Sequence, residues 1–473
     1  MRMRWLVVTV CGALLPLSAR DFAAETRPEC CGVWYASGTA NTLPGHRYVY
    51  SGPMATYSVW HRPMAVFAPA VNKTFFVYGN ATNAPTISFY DHARRVFARP
   101  VVVGGNRDGD AHRNPTLHVA GDGHLYIFYG AHGHPTRVVK SAAAYDISAW
   151  IRKPDLPDEK TTYPQPWQLK AGELFVSWRG QPLSAVRESK DAAGQPPGWR
   201  FSVSRDGGST WDAPTDLVRF QDATAYAITI AEEGAYPRKI HITWSRLGGG
   251  TEKEQKEKHL WARRYNVYYA RSEDGGATWK RSDGTHYTLP ITEAAAEKIY
   301  DSGQHGVWLK DIQLDPQGNP CILFIDADVA TYASAWKFAR HAGGRWDVSD
   351  VAASDHMYDD GGLVIRNPED FRVYGPTTAT QPQEDGGEIE EWRSSDGGKT
   401  WAHTRHITRG SPLSHNCVKV VFGHQRGPGD FQLLWSYGDS NYPPSTREVG
   451  MYFYGEARGE AARVVFPRGT ATP

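Results

Sequence analysis

The sequence predicts an all-β chain folded as a seven-bladed β-propeller, and three observations carry that reading. The first is composition. The 473 residues include 17 Trp, 24 Tyr and 17 Phe with 47 Gly and 31 Pro, a mixture of strand formers and turn formers with few long Ala/Leu/Glu runs. The second is a recurring octapeptide: "SRDGGSTW" (Ser204–Trp211), "SEDGGATW" (Ser272–Trp279) and "SSDGGKTW" (Ser394–Trp401). The third is its spacing. The copies lie 68 and then 122 residues apart, the latter being twice 61. A period of roughly 64 residues, each with several short strands, fits about seven times into the chain that follows the N-terminal leader.

That leader is the stretch "MRMRWLVVTVCGALLPLSARDFAAE". Arg2 and Arg4 precede an apolar run from Trp5 to Leu17, too short to span a bilayer comfortably, and small residues follow at Ser18, Ala19, Ala23 and Ala24. Residues 1–24 are therefore expected to be a secretory signal peptide, making the protein secreted or periplasmic, and residues 25–473 a single propeller catalytic domain. No second apolar segment is long enough to cross a membrane. Cys30, Cys31, Cys321 and Cys417 remain after cleavage, enough for one bridge or a small metal site but not for a disulfide scaffold.

The octapeptide has a mechanical logic. Its Asp accepts bonds from turn amides, its paired glycines supply positive φ, and its Trp fills the gap between neighbouring sheets. "FARHAGGRWDVSD" (Phe338–Asp350) stands where the missing copy should be and reads as a degenerate one. "HLYIFYGAH" and "GELFVSWRG" alternate in the manner of strands. Two stretches break the β pattern and are expected to be helical: Thr251–Arg264, rich in charge, and the short Thr292–Tyr300.

Lys plus Arg total 52 and Asp plus Glu 51, so there is no basic field for nucleic acid, and an anionic ligand would need local cations. Such a place exists. "DAHRNPTLHVAGDGHLYIFYGAHGH" (Asp110–His134) holds five histidines. A hairpin through "AGDG" brings His112 and His132 to one end of a blade, whereas His118, His124 and His134 read as surface or edge residues. The next hairpin, "TYPQPWQLKAGELFVSWRG", brings Tyr163 and Arg179 to the same end. A fixed cation, two imidazoles and a phenol suit β-elimination from a uronic acid. The cation neutralises the C6 carboxylate, a base takes the C5 proton, and an acid protonates the departing O4. The neighbouring Arg favours the phenolate form of Tyr163. The cluster shows no well-placed carboxylate, which counts against glycoside hydrolysis.

The octapeptide is the Asp-box, or BNR, repeat shared by sialidases and other secreted propellers acting on polysaccharides. From about Gly104 to Trp401 the chain resembles the BNR-type propellers of polysaccharide lyase families 24 and 25, the ulvan lyases. The specific part is the pair His112 and His132 and the pair Tyr163 and Arg179. The resemblance implies proton transfer and carboxylate contacts by His112, His132 and Tyr163, and uronate neutralisation by Arg179. It places a further tyrosine at Tyr226, with Tyr236 close by. It also implies an anionic, ulvan-like polysaccharide as substrate. Arg246 is either a contact for a sulfated neighbouring sugar or a surface arginine. No cofactor is needed for the chemistry. The family suggests a structural metal, zinc or calcium, for which Cys321, His415 and Cys417 are weak candidates against the alternative of buried structural thiols. A monomer is the default for a closed propeller. The rival readings are a sialidase-like hydrolase, in which "HRNP" (His112–Pro115) echoes an Arg-x-Pro stretch one blade late, and a non-catalytic carbohydrate-binding propeller.

Overall fold

The computed structural model describes residues 27–467 apart from 36–51, 54, 171, 181–197, 234–237, 250, 252, 254–262, 329–330, 332, 355, 378–385 and 439–448. Seven antiparallel sheets follow one another along the chain. Blade 1 spans Ala65–Val102, blade 2 Thr116–Lys153, blade 3 Thr162–Val218, blade 4 Ala223–Tyr300, blade 5 Gly306–Ser354, blade 6 Gly362–His406 and blade 7 Ser414–Arg463. The first strand of each blade packs against the first strand of the next, which puts these strands innermost and makes a seven-bladed propeller. They are almost wholly buried, as in Ala223–Ala231 of blade 4.

The ring closes through backbone bonds between blades 7 and 1. Phe67 N–H donates to the Phe422 carbonyl and Phe422 N–H to the Ala65 carbonyl, each at 2.9 Å. A second fastening comes from the N-terminal segment. Gly32 N–H donates to Val449 of blade 7 at 3.0 Å, and Val33 N–H to Gly79 of blade 1 at 3.1 Å. A Cβ at Gly32 would lie 2.6 Å from that of Ala55, so only glycine lets the backbone approach this closely.

Each octapeptide joins the third and fourth strands of its blade, and its bonds match the expected mechanics. In blade 4, Asp274 accepts from Thr278 N–H at 2.8 Å, from the Thr278 hydroxyl at 2.6 Å and from the Ser272 hydroxyl at 2.8 Å. The tryptophans reach the preceding blade. Trp211 meets Phe128, Trp279 meets Phe175 and Trp401 meets Phe338, at ring separations of 6.4, 6.3 and 5.2 Å. The degenerate copy sits at the equivalent turn of blade 5, between Ser334–Ala342 and Arg345–Ser354. There Gly343 and Gly344, both at positive φ, make a two-residue turn in place of the box.

One expectation changes. Thr292–Tyr300 is not helical: a turn at 293–295 leads into the strand Glu297–Tyr300, the outer strand of blade 4. The Ala/Glu run is too short to repay helix nucleation, and pairing with Val267–Tyr269 prevails. Most of Thr251–Arg264 lies outside the described residues, as does the leader, and Arg264 opens the strand Arg264–Ser272. No disulfide joins Cys30, Cys31, Cys321 or Cys417. Among the described residues, no helix is long and apolar enough to cross a membrane.

Candidate active site

Five elements of blades 2 to 4 converge at the end of the propeller where the inner strands begin. Asp110 caps a 3-10 turn, Ala111–Arg113, by accepting from His112 N–H at 3.0 Å, and the turn feeds the inner strand of blade 2. The second strand of that blade, Leu125–Tyr129, returns the chain to the same end and delivers His132 at φ 83°. In blade 3, Thr162 pairs with Arg179, but the next pair is Gln165 with Ser177. The extra residue is a bulge, and Tyr163 sits in it at φ 58°. A bulge re-aims a side chain that the pleat would otherwise fix. Tyr226 lies three residues into the inner strand of blade 4.

The five expected residues are thus together. The imidazoles of His112 and His132 stack with centroids 4.2 Å apart, and Tyr163 lies 5.7 Å from His112 and 6.1 Å from Tyr226. The Arg179 guanidinium stands 5.1 Å from the Tyr163 ring and 4.6 Å from the Tyr226 ring, and donates to the Tyr226 hydroxyl. Arg179 is 1% exposed, yet among the described residues it has no carboxylate partner, and its Nε–H has no acceptor. A buried cation left without a counter-ion is costly unless a ligand supplies one.

Asp110 overturns the expectation that no carboxylate is well placed. Its two oxygens divide between the imidazoles: Oδ1 takes His112 Nδ1–H at 2.6 Å and Oδ2 takes His132 Nδ1–H. Burial pushes this carboxyl up, but the two histidines overcome that and hold it well below the usual range. With Nδ1 held as a donor, the neutral His132 imidazole carries its lone pair on Nε2. His112 Nε2 lies 3.4 Å from the Tyr57 hydroxyl. His132, with a side chain 23% exposed, is the more open of the two. Burial, then the charge of His112, bring His132 down to about 4 against the pull of Asp110, so it is neutral at neutral pH.

Tyr163 departs from expectation in its electrostatics. Burial pushes its phenol well above 10, Tyr226 adds to this, and Arg179 and Arg264 oppose it without prevailing. It is a protonated phenol at neutral pH, not a phenolate. His118 is also corrected. It is buried beside Tyr126, and burial lowers it to about 3. His124 and His134 are half-buried.

Three further groups complete the site. Trp60 packs on Tyr163 and Tyr226 at 5.5 and 5.0 Å, and His61 meets Tyr163 at 5.1 Å while its Nε2 bonds the His112 carbonyl at 3.0 Å. Arg264 covers Tyr226 from 4.5 Å and Trp60 from 5.0 Å. A sequence signal existed for His61: "HRP" before the inner strand of blade 1 parallels "HRNP" before that of blade 2. None existed for Arg264.

Arg246, half-buried on the second strand of blade 4, is held by Asp222 at 2.8 Å and Glu293 at 3.5 Å. Tyr236 lies outside the described residues. The weak metal candidates do not meet. Cys321 packs in blade 5 with Phe338 and Val373, and Cys417 packs in blade 7 with Val33, Tyr57 and Ala111. Both ring nitrogens of His415 are engaged, by Trp435 Nε1–H at 2.8 Å and the Ser411 hydroxyl at 2.9 Å.

Comparison with known proteins gives this geometry its context. The chain is 24% identical over 379 residues to an ulvan lyase of polysaccharide lyase family 25 from Pseudoalteromonas sp. (strain PLSV), covering 71% of this chain and 73% of that protein. It is 22% identical over 417 residues to an ulvan lyase from Nonlabens ulvanivorans, covering 78% and 84%. Among solved structures, a family 25 ulvan lyase superposes with a TM-score of 0.69 at 21% identity, covering 86% of this chain and 93% of that one. The same enzyme family bound to -[GlcA(1-4)Rha3S]- gives 0.69 at 19% identity, covering 88% and 96%. These likenesses show a shared propeller. A family model for BNR repeat-containing proteins matches residues 74–354, more than half of the chain, and the chain belongs to that family.

Proposed function

We propose that the protein is a polysaccharide lyase that cleaves a uronate-containing, ulvan-like polymer by β-elimination. The observation that carries this is Arg179, a buried guanidinium with no carboxylate partner among the described residues, set against two tyrosines and beside two imidazoles fixed by one aspartate. The uronate carboxylate supplies the missing counter-ion in bidentate fashion. Its neutralisation stabilises the charge that builds as the C5 proton leaves. His132, neutral with its Nδ1–H on Asp110, takes that proton on Nε2. The C5–H electron pair becomes the C4–C5 double bond, and the C4–O4 bond breaks. Tyr163, a protonated phenol, gives its proton to O4. The relatives named as ulvan lyases support this substrate class.

The hydrolase reading fares worse. Arg113, the arginine of "HRNP", is bound by Asp108 at 2.9 and 3.0 Å and by the Ala131 carbonyl at 2.9 Å. Asp110, whose two oxygens are both taken by imidazoles, is not free to serve as one of the two carboxylates that glycosidases use. Mass analysis of the products tests the choice. Elimination gives a new non-reducing end lighter by one water than hydrolysis does, and a product carrying that water would overturn the proposal.

A further inference from the structure

A second cluster of metal-binding side chains lies on blade 6, three blades round from the acid–base site and at the same end of the propeller. Glu390, near the start of the third strand Ile389–Ser394, sits directly opposite His406 on the outer strand Ala402–His406. A register shift between Glu391 and Trp392 brings His403 into reach of the same carboxylate. Glu390 Oε1 faces His406 Nδ1 at 2.7 Å, and Oε2 faces His403 Nε2. The two imidazole centroids are 4.6 Å apart, and one donor atom from each of the three residues lies within 4.8 Å of the others. The Glu390 side chain is 4% exposed, whereas the histidines are about a third exposed, at 32% and 35%.

We infer that Glu390, His403 and His406 form a binding site for a divalent transition metal, with zinc as the best fit. Two imidazoles and one carboxylate are a borderline-soft donor set of the type zinc takes, whereas calcium and magnesium want oxygen ligands throughout. A tetrahedral ion with bonds of about 2.0–2.2 Å needs donors roughly 3.3–3.5 Å apart. The three donor atoms lie within 4.8 Å of one another, so side-chain rotations suffice to bring them to that spacing. The carboxylate is anchored in the sheet and the imidazoles face solvent, which leaves the fourth position to water. The ion would tie a wholly exposed edge strand to the body of its blade. Its ligands differ from Cys321, His415 and Cys417, and the site is separate from Asp110, His112 and His132, which also present three donors but belong to the acid–base machinery.

The test is equilibrium dialysis of the full chain against Zn2+ after chelator treatment, with Co2+ absorption as a second readout. Wild type is expected to bind one ion that His403→Ala/His406→Ala and Glu390→Gln lose at least tenfold in affinity, while His112→Ala keeps it. Circular dichroism checks that each variant is folded. No ion bound by wild type, or an ion retained by the double variant and lost in His112→Ala, would overturn the inference.

Discussion

Arg179 is the residue on which the chemistry turns. It is buried against the rings of Tyr163 and Tyr226. Arg179→Ala should lower kcat/KM by about 10²–10³-fold or more, the usual cost of losing one preorganised electrostatic group, with an unchanged circular dichroism spectrum. Tyr163→Phe removes one oxygen and should cost about 10²–10⁴-fold, the range for a positioned acid. Asp110→Asn should leave an acceptor for only one of the two imidazoles and lower kcat more than it raises KM, because Asp110 acts through the histidines it holds. Retained kcat in Asp110→Asn would show that the carboxylate is a turn cap and nothing more. The histidine, tyrosine and arginine pairs were legible in the sequence because hairpin counting alone brings both ends of a strand pair together. Asp110 was not, although it stands two residues before His112, since an acid in a polar loop reads as solvated. The ionisation of Tyr163 is not legible in the sequence, because burial outweighs the nearby guanidiniums and no sequence pattern reports how deeply a phenol is buried.

Three blades owe the turn between their third and fourth strands to the octapeptide box. Each box closes the third and fourth strands and sends a tryptophan to the preceding blade, so it fixes both a turn and an inter-blade contact. Asp274→Ala removes an acceptor for three bonds and should cost about 1–2 kcal/mol, read as a fall of a few degrees in Tm with activity at the assay temperature kept. Gly398→Ala should cost more. The residue has φ 89°, and a Cβ there would lie 2.1 Å from Phe338 Cε1. An unchanged Tm in both variants would remove the boxes from the account of stability. The boxes were readable because their chemistry is local. The strand Glu297–Tyr300 was not, because its conformation is decided by partners some 30 residues earlier in the chain rather than by its own composition. The metal candidates Cys321 and Cys417 failed for the same reason: they stand in different blades.

At the scale of the whole molecule, burial of neutral histidines couples stability to pH. His118 is lowered to about 3, and His132, His415 and His424 to about 4, each chiefly by burial. The unfolded chain takes up these protons below its ordinary value of 6.5, while the folded chain excludes them until near pH 4. The unfolded state therefore binds more protons in that window. Stability rises with pH across it and is lost as pH falls from 6.5 toward 4, at about 1.4 kcal/mol per pH unit for each fully shifted group. Urea midpoints should drop between about pH 7 and about pH 5, and a flat profile would mean that these imidazoles already carry their protons in the fold. The seven-bladed architecture itself followed from the period of one motif, because a propeller repeats its local chemistry around an axis.

The most direct test of the central claim is ultraviolet absorbance recorded while the protein acts on ulvan. Elimination leaves a conjugated C4–C5 double bond that absorbs; hydrolysis does not. The account predicts a steady rise in absorbance as chains are cut. New reducing ends with a flat trace would contradict it.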